Sequence, residues 1–117
     1  MATRKPQKVT KTPGYAVWKW EQLEDTDTAA PLFVGDYDDI TVYADGDFES
    51  AAGTLAMHGA PIDDSNLYRA LSDANSGSAI GMTDDGVALV SEACMYIKPV
   101  ASGGSAGQDL DIYIVCK

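Results

Sequence analysis

The 117-residue sequence predicts an all-β fold, an antiparallel β-sandwich of about eight short strands. Three observations carry this. The apolar runs are short and rich in β-branched and aromatic residues, as in Ile40 to Ala44 (ITVYA) and Leu110 to Cys116 (LDIYIVC). Several of them alternate apolar and polar positions, the period of a strand with one face buried. Between them stand clusters of Gly, Pro, Asp, Asn and Ser, residues that favour tight turns because they accept left-handed or preset backbone angles.

A chain of this length holds one domain and buries enough apolar surface to fold without metals or disulfides. Residues 1–14 read as an extended basic N-terminal arm and residues 15–117 as the sandwich domain. The arm has Val9 as its main apolar residue, and Pro6 and Pro13 are expected to block regular structure there. Such a segment has no core of its own, so a neighbouring chain is expected to order it.

The first strand is Tyr15 to Glu21 (YAVWKWE), with Ala16, Trp18 and Trp20 on one face. Core packing is one reading of the two indoles and an exposed contact patch is the other. A polar loop and Pro31 lead to Leu32 to Val34, then to an acidic turn at Gly35 to Asp39. Ile40 to Ala44 and Gly53 to His58 follow as strands, with Asp45-Gly46-Asp47 as a turn after the first. Asn66 to Leu71 reads equally as a strand or a helical turn. Further strands are expected at Ala79 to Thr83, Val87 to Ser91, Cys94 to Val100 and Leu110 to Cys116. The last two flank a Gly- and Ser-rich loop and are expected to pair as a hairpin, with Ile97 opposite Ile112 and Met95 opposite Ile114. That register points Cys94 and Cys116 to opposite faces.

Charge is strongly polarised. Residues 1–20 carry Arg4, Lys5, Lys8, Lys11 and Lys19 and no acid, a net +5; the rest carries 18 acids against Arg69, Lys98 and Lys117, a net 3 − 18 = −15, and the sum is −10. The acidic body is expected to avoid nucleic acid and anionic membranes, while the basic segment seeks an acidic partner. A nucleic-acid module ordinarily adds stacking aromatics or a basic face, and here no aromatic precedes Tyr15. No apolar stretch approaches the roughly 20 residues of a membrane span, and the start lacks the apolar run of a secretory signal, so synthesis and retention in a cytoplasm are expected.

The residues do not assemble a catalytic constellation. His58 is the single histidine and has no Cys, Glu or His at ligand spacing. The doublets Asp38-Asp39, Asp63-Asp64 and Asp84-Asp85 do not fit the EF-hand pattern and read as turn acids. The glycines from Gly103 to Gly107 are not followed by the Lys-Ser or Lys-Thr of a phosphate loop, and no serine has a Gly-x-Ser-x-Gly setting. Cys94 and Cys116 read as small apolar residues in or near a core, with a disulfide as the other reading. The expectation is a protein that is not an enzyme, with no catalytic residue, metal or cofactor. Its candidate partner-binding residues are Arg4, Lys5, Lys8, Lys11 and Tyr15.

Taken in order, the strands resemble the small head decoration, or cement, proteins of tailed bacteriophages. The matching features are Val17-Trp18-Lys19-Trp20 with Leu23-Glu24-Asp25-Thr26 and Pro31, then Asp38-Asp39-Ile40-Thr41-Val42 and Gly46-Asp47-Phe48. Thr54-Leu55-Ala56-Met57-His58-Gly59 and Leu67-Tyr68-Arg69-Ala70-Leu71-Ser72-Asp73 follow. Tyr96-Ile97-Lys98-Pro99, Gly103-Gly104 and the alternating Leu110 to Val115 close the match. The sequence departs from the family at Ala60 to Ser65, where the family has a compact Ser-Asn-Asp-Gly turn, and at Lys98, where it has Arg. The resemblance spans roughly residues 17 to 115 and leaves the arm outside it.

What the resemblance implies is a virion structural protein on the outer capsid surface. There it would bind the major capsid protein, stabilise the assembled head and contact neighbouring copies of itself, a homotrimer among the arrangements open to it. The alternative is a sugar-binding or host-attachment sandwich of a phage particle, whose exposed aromatics would stack on sugar rings.

Overall fold

A computed structural model describes residues 3–24, 27–48, 53–103 and 108–117. The chain is an all-β sandwich. One sheet has five strands in the order β2 (Gln7–Thr12), β3 (Tyr15–Leu23), β11 (Asp109–Cys116), β6 (Ile40–Asp47) and β9 (Gly86–Leu89). The facing sheet has the order β5 (Leu32–Phe33), β10 (Tyr96–Ser102), β7 (Thr54–Ala60) and β8 (Arg69–Ala70). Pairing within both is antiparallel, whereas β1 (Thr3–Arg4) and β4 (Thr28–Ala29) form a short parallel pair beside them.

Alternation selects the inner faces. Along β11, Leu110, Ile112, Ile114 and Cys116 are fully buried, while Asp111, Tyr113 and Val115 face out half-covered. Leu55 and Met57 of β7 and Ile97 of β10 come down from the other sheet to meet them in one core, which also holds Trp20, Val34 and Val42. Each such side chain contributes about 1.5–3 kcal/mol when withdrawn from water. Trp20 also donates from Nε1 to the carbonyl of Ala30 (2.9 Å), so its one polar atom is satisfied inside.

Two irregularities aim side chains that simple alternation would misplace. In β3, Trp20 lies opposite Ile112 and Leu23 opposite Leu110, so Glu21 and Gln22 together face the single residue Asp111. This bulge carries the left-handed Gln22 (φ 55°), whose N–H is held by the Asp111 carboxylate (3.0 Å). It lets Trp20 and Leu23, three apart, both point into the core. In β2, Lys8 opposes Trp18 and Thr10 opposes Val17, leaving Val9 as an extra residue.

Several sequence expectations change here. Residues 7–12 form an edge strand on β3 of their own chain rather than an irregular arm waiting for a neighbour. Pro6 and Pro13 bound that strand instead of preventing it, and Pro13-Gly14 makes the connecting turn (Gly14 φ 84°). Asp45-Gly46-Asp47 continues β6 rather than turning, because Asp111, Leu110 and Asp109 pair with it in register. Asn66 to Leu71 contributes only the two-residue β8, and Ala79 to Thr83 only isolated bridges, Ser72 with Ala79 and Leu55 with Met82.

The expected final hairpin does not form. β10 pairs with β7 and β5, β11 with β3 and β6, and so Ile97 and Ile112 meet face to face across the core rather than side by side in one sheet. Periodicity specifies which face of each strand is buried but not which sheet it joins. Pro99 is tolerated in β10 because the two-residue β5 flanks only Tyr96 and Ile97, leaving Pro99 past its end. The expected loop between β10 and β11 falls partly on residues 104–107, and the expected polar loop partly on residues 25–26; both lie outside the described residues.

Gly46 sits in β6 at φ 140°, and a Cβ there would run into the Asp109 carbonyl oxygen. Gly77 (φ 74°) has open space around it. Gly46→Ala is therefore expected to cost about 3 kcal/mol or more and Gly77→Ala about 1 kcal/mol, read from urea midpoints; equal losses would contradict the close approach.

Gln108 is fully buried, and neither its Oε1 nor its Nε2 has a hydrogen-bond partner among the described residues. A shape-matched apolar replacement removes an unmet polar demand. Gln108→Met should leave stability unchanged or raise it by about 1 kcal/mol; a loss above about 1 kcal/mol in the same urea titration would show that the amide is satisfied.

Candidate protein-binding surface

The five residues singled out from the sequence lie on β1, β2, the link between them and the start of β3, and differ in what they can do. Arg4 is committed internally. Its Nε donates to the Asp27 carboxylate (3.0 Å), whose side chain is almost wholly covered, and its carbonyl accepts from Ala30 N–H (2.8 Å). It pins β1 against β4, and its side chain stays one-third exposed. Lys5 is exposed beside a shallow groove shared with Gln7, Glu21 and Gln22. Tyr15 is exposed at the start of β3, with the Lys117 ammonium 5.8 Å from its ring centre.

Lys8 and Lys11 lie on β2, whose six residues are all exposed. The bulge at Val9 brings these two lysines to one face, since Lys8 opposes Trp18 and Lys11 opposes Ala16, both core-facing positions of β3. Without the extra residue they would point to opposite faces. Among the described residues β2 ends the sheet, and its outer N–H and C=O groups have no strand beside them. Lysines and a bulge are also what discourages an edge from pairing indiscriminately. This edge is thus closed to another copy of itself and open to an acidic strand.

Beside that edge, the outer face of the five-stranded sheet is unusually apolar for a face turned to solvent. One row across it reads Val87, Tyr43, Tyr113, Lys19 and Gln7; the row of Leu89, Thr41, Val115, Val17 and Thr10 runs parallel to it. Val87 and Tyr43 are 58% and 44% exposed, enough for a partner to cover. Lys19 is held in place by Glu21 (2.6 Å) with its ammonium 5.9 Å from the Tyr113 ring centre. The outward positions Thr41, Tyr43, Tyr113 and Val115 were visible as alternation in the sequence. Their assembly into rows depends on registers set between strands far apart in the chain.

The two tryptophans do not belong to this surface. Trp20 is fully buried, and Trp18 is half-buried against the core. The Asp doublets close turns: Asp64 accepts from Asn66 N–H, Asp84 from Asp85 N–H, and Asp85 from Gly46 N–H. Among the described residues no three His, Cys, Asp or Glu side chains gather at metal-binding distance.

Both cysteines are free thiols. Cys116 is buried, and desolvation, with Cys94 nearby, pushes its pKa up to about 11. The expectation that the two point to opposite faces is corrected, because both pack on the one core.

On the outer face of the four-stranded sheet, Lys98 lies opposite His58 and projects its ammonium over the Tyr68 ring (4.4 Å). The Tyr68 hydroxyl donates to Asp63 (2.9 Å). Desolvation, and secondarily the Lys98 charge, hold the His58 pKa below its ordinary value of 6.5. The unfolded chain therefore binds this proton more readily than the folded one. Stability from this group is present above pH 6.5 and is lost as pH falls from there toward the folded pKa. An NMR titration of the single histidine should give a pKa below 6.5, and Lys98→Gln should raise it while leaving it under the model-peptide value, because the larger cause remains. A titration unmoved by that substitution would show that Lys98 does not act on it.

The chain matches no model of a known protein family, no curated protein and no solved structure.

Proposed function

We propose that this chain is a non-enzymatic structural protein of a phage virion, a decoration or cement protein. It would bind the outer surface of an assembled head and bridge copies of the major capsid protein. The observation that carries the reading is the basic edge strand β2, fully exposed and continuous with the partly apolar outer sheet face of Tyr43, Tyr113 and Val87. An edge strand offers backbone pairing to an extended acidic segment, and the sheet face beside it offers area; together they fit addition to a preformed protein lattice. The order of strand motifs resembling head decoration proteins supports the same reading. The acidic body keeps copies soluble and away from packaged nucleic acid.

A sugar-binding module is the second reading, favoured by one feature, the adjacent outward pair of exposed Tyr43 and half-covered Tyr113. Trp20, being fully buried, would take no part in stacking on a sugar, and Trp18 packs half-buried against the core.

The test is co-sedimentation with assembled heads and, separately, with unassembled capsid subunits of the same phage. Binding to heads alone is expected. Because β2 covers the flank of β3, removing residues 2–12 would strip a strand from the sheet, so charge reversal is the cleaner probe. Lys8→Glu with Lys11→Glu should keep the melting temperature within a few degrees and weaken head occupancy by roughly fivefold per lysine, more at low than at high salt. Equal occupancy by the variant would mean that β2 is not the attachment edge. Loss of glycan binding in Tyr43→Ala with heads still decorated would instead support the second reading.

A further inference from the structure

A groove of about 400 Å³ opens at the end of the sandwich where β6 begins. Ile40, Pro61, Val90, Cys94 and Met95 with Tyr37 give it much apolar lining, beside Ser91. Met95 and Phe33 lie over Gly35 at its mouth, and both are more than 40% exposed. A Cβ at Gly35 would meet Met95 Cε at 2.6 Å and Phe33 Cζ at 2.7 Å, so the glycine is what lets these two side chains close over the turn.

The rim is acidic. Asp38 and Glu92 line the groove, and Asp36 and Asp39 stand in the same turn as Asp38. Glu92 is held as a carboxylate by the N–H of Ser72 (2.7 Å), which keeps its pKa below the usual range. An apolar slot with fixed anions at its mouth accepts an apolar side chain flanked by cations. The chain has eight cations in all, five of them before residue 20. One exposed stretch has the required pattern: Val9, 49% exposed, between Lys8 and Lys11 on the open edge of β2. Pairing with its own copy would crowd like charges along one edge, whereas the groove rim offers carboxylates.

We propose that the groove lined by Tyr37, Ile40, Pro61, Cys94 and Met95 receives the Lys8-Val9-Lys11 edge of β2 from a second copy of this chain. Each copy then gives one surface and receives with another. The contact is heterologous: it closes when the rotation between copies completes a ring or is reciprocated across a two-fold axis, and otherwise extends. This contact draws on the same β2 edge as the capsid reading, so the two compete for it in any one copy, but it is tested on the purified protein alone, without capsids.

The experiment is sedimentation velocity on the full chain across a wide concentration range at low and high salt. Concentration-dependent association, weakened by salt, is expected. Lys8→Glu with Lys11→Glu, and separately Asp36→Lys with Asp38→Lys, should each weaken association about tenfold or more, while an equimolar mixture of the two variants associates again. A wild-type measurement guards against a variant that fails to fold. In a mixture of isotopically labelled and unlabelled protein, a zero-length carbodiimide should join Lys8 or Lys11 of one copy to Asp36, Asp38, Asp39 or Glu92 of another. A chain that stays monomeric throughout, variants that associate like wild type, or intermolecular cross-links confined to other residues would each overturn the proposal.

Discussion

Everything in this fold hangs on β11, the last strand, lying between β3 and β6. It is paired along both edges, and its inward residues Leu110, Ile112, Ile114 and Cys116 are all fully buried. Remove it and β3 separates from β6, leaving two fragments of a sheet with no common inner face. The strand joins partners that begin at residues 15 and 40, so the central pairing closes only after most of the chain is in place. Long-range pairing of this kind is slow to form because loop closure must precede the contacts that reward it. The Asp111 side chain adds a local lock: by holding the Gln22 N–H it stabilises the bulge that keeps Trp20 and Leu23 on the same side.

Charge follows from that architecture. The five-stranded sheet ends on one side in β2, where lysines and a bulge protect an edge that no further strand among the described residues covers. At β6 and β9 the sheet instead carries aspartates, Asp45, Asp47 and the Asp84-Asp85 turn, one of which closes on the backbone N–H of Gly46. A polarity written along the chain thus becomes a polarity across one sheet. It gives the molecule a direction in which acidic and basic surfaces meet different partners, which is the property shared by the capsid reading and the proposed contact between copies.

The bulge in β2 shows how small a change decides which residues act together. Lys8 and Lys11 are three apart, a spacing that in an uninterrupted strand sends them to opposite faces. One extra residue, Val9, places them side by side and leaves an apolar side chain exposed between them. Arg4 illustrates the opposite outcome. It belongs to the same basic stretch, but its Nε is held by the covered carboxylate of Asp27, so it also ties its own short strand to the fold.

By itself the sequence determined the all-β class, which residues share a face along β3, β10 and β11, and the unequal distribution of charge. These are local properties: alternation, turn chemistry and composition act over a few residues, and burial amplifies them without changing their sense. Only the tertiary structure decided that Tyr96 to Ser102 and Asp109 to Cys116 belong to different sheets, that Asp45-Gly46-Asp47 stays extended, and that residues 7–12 pair with their own chain. The candidate surface depends on the same decisions. Tyr43 reaches Tyr113, and Met95 reaches Gly35, through contacts between segments dozens of residues apart. A period-two pattern says which way a side chain faces but carries no information about its neighbour across the sheet. That neighbour is chosen by the competition among all strands for one core.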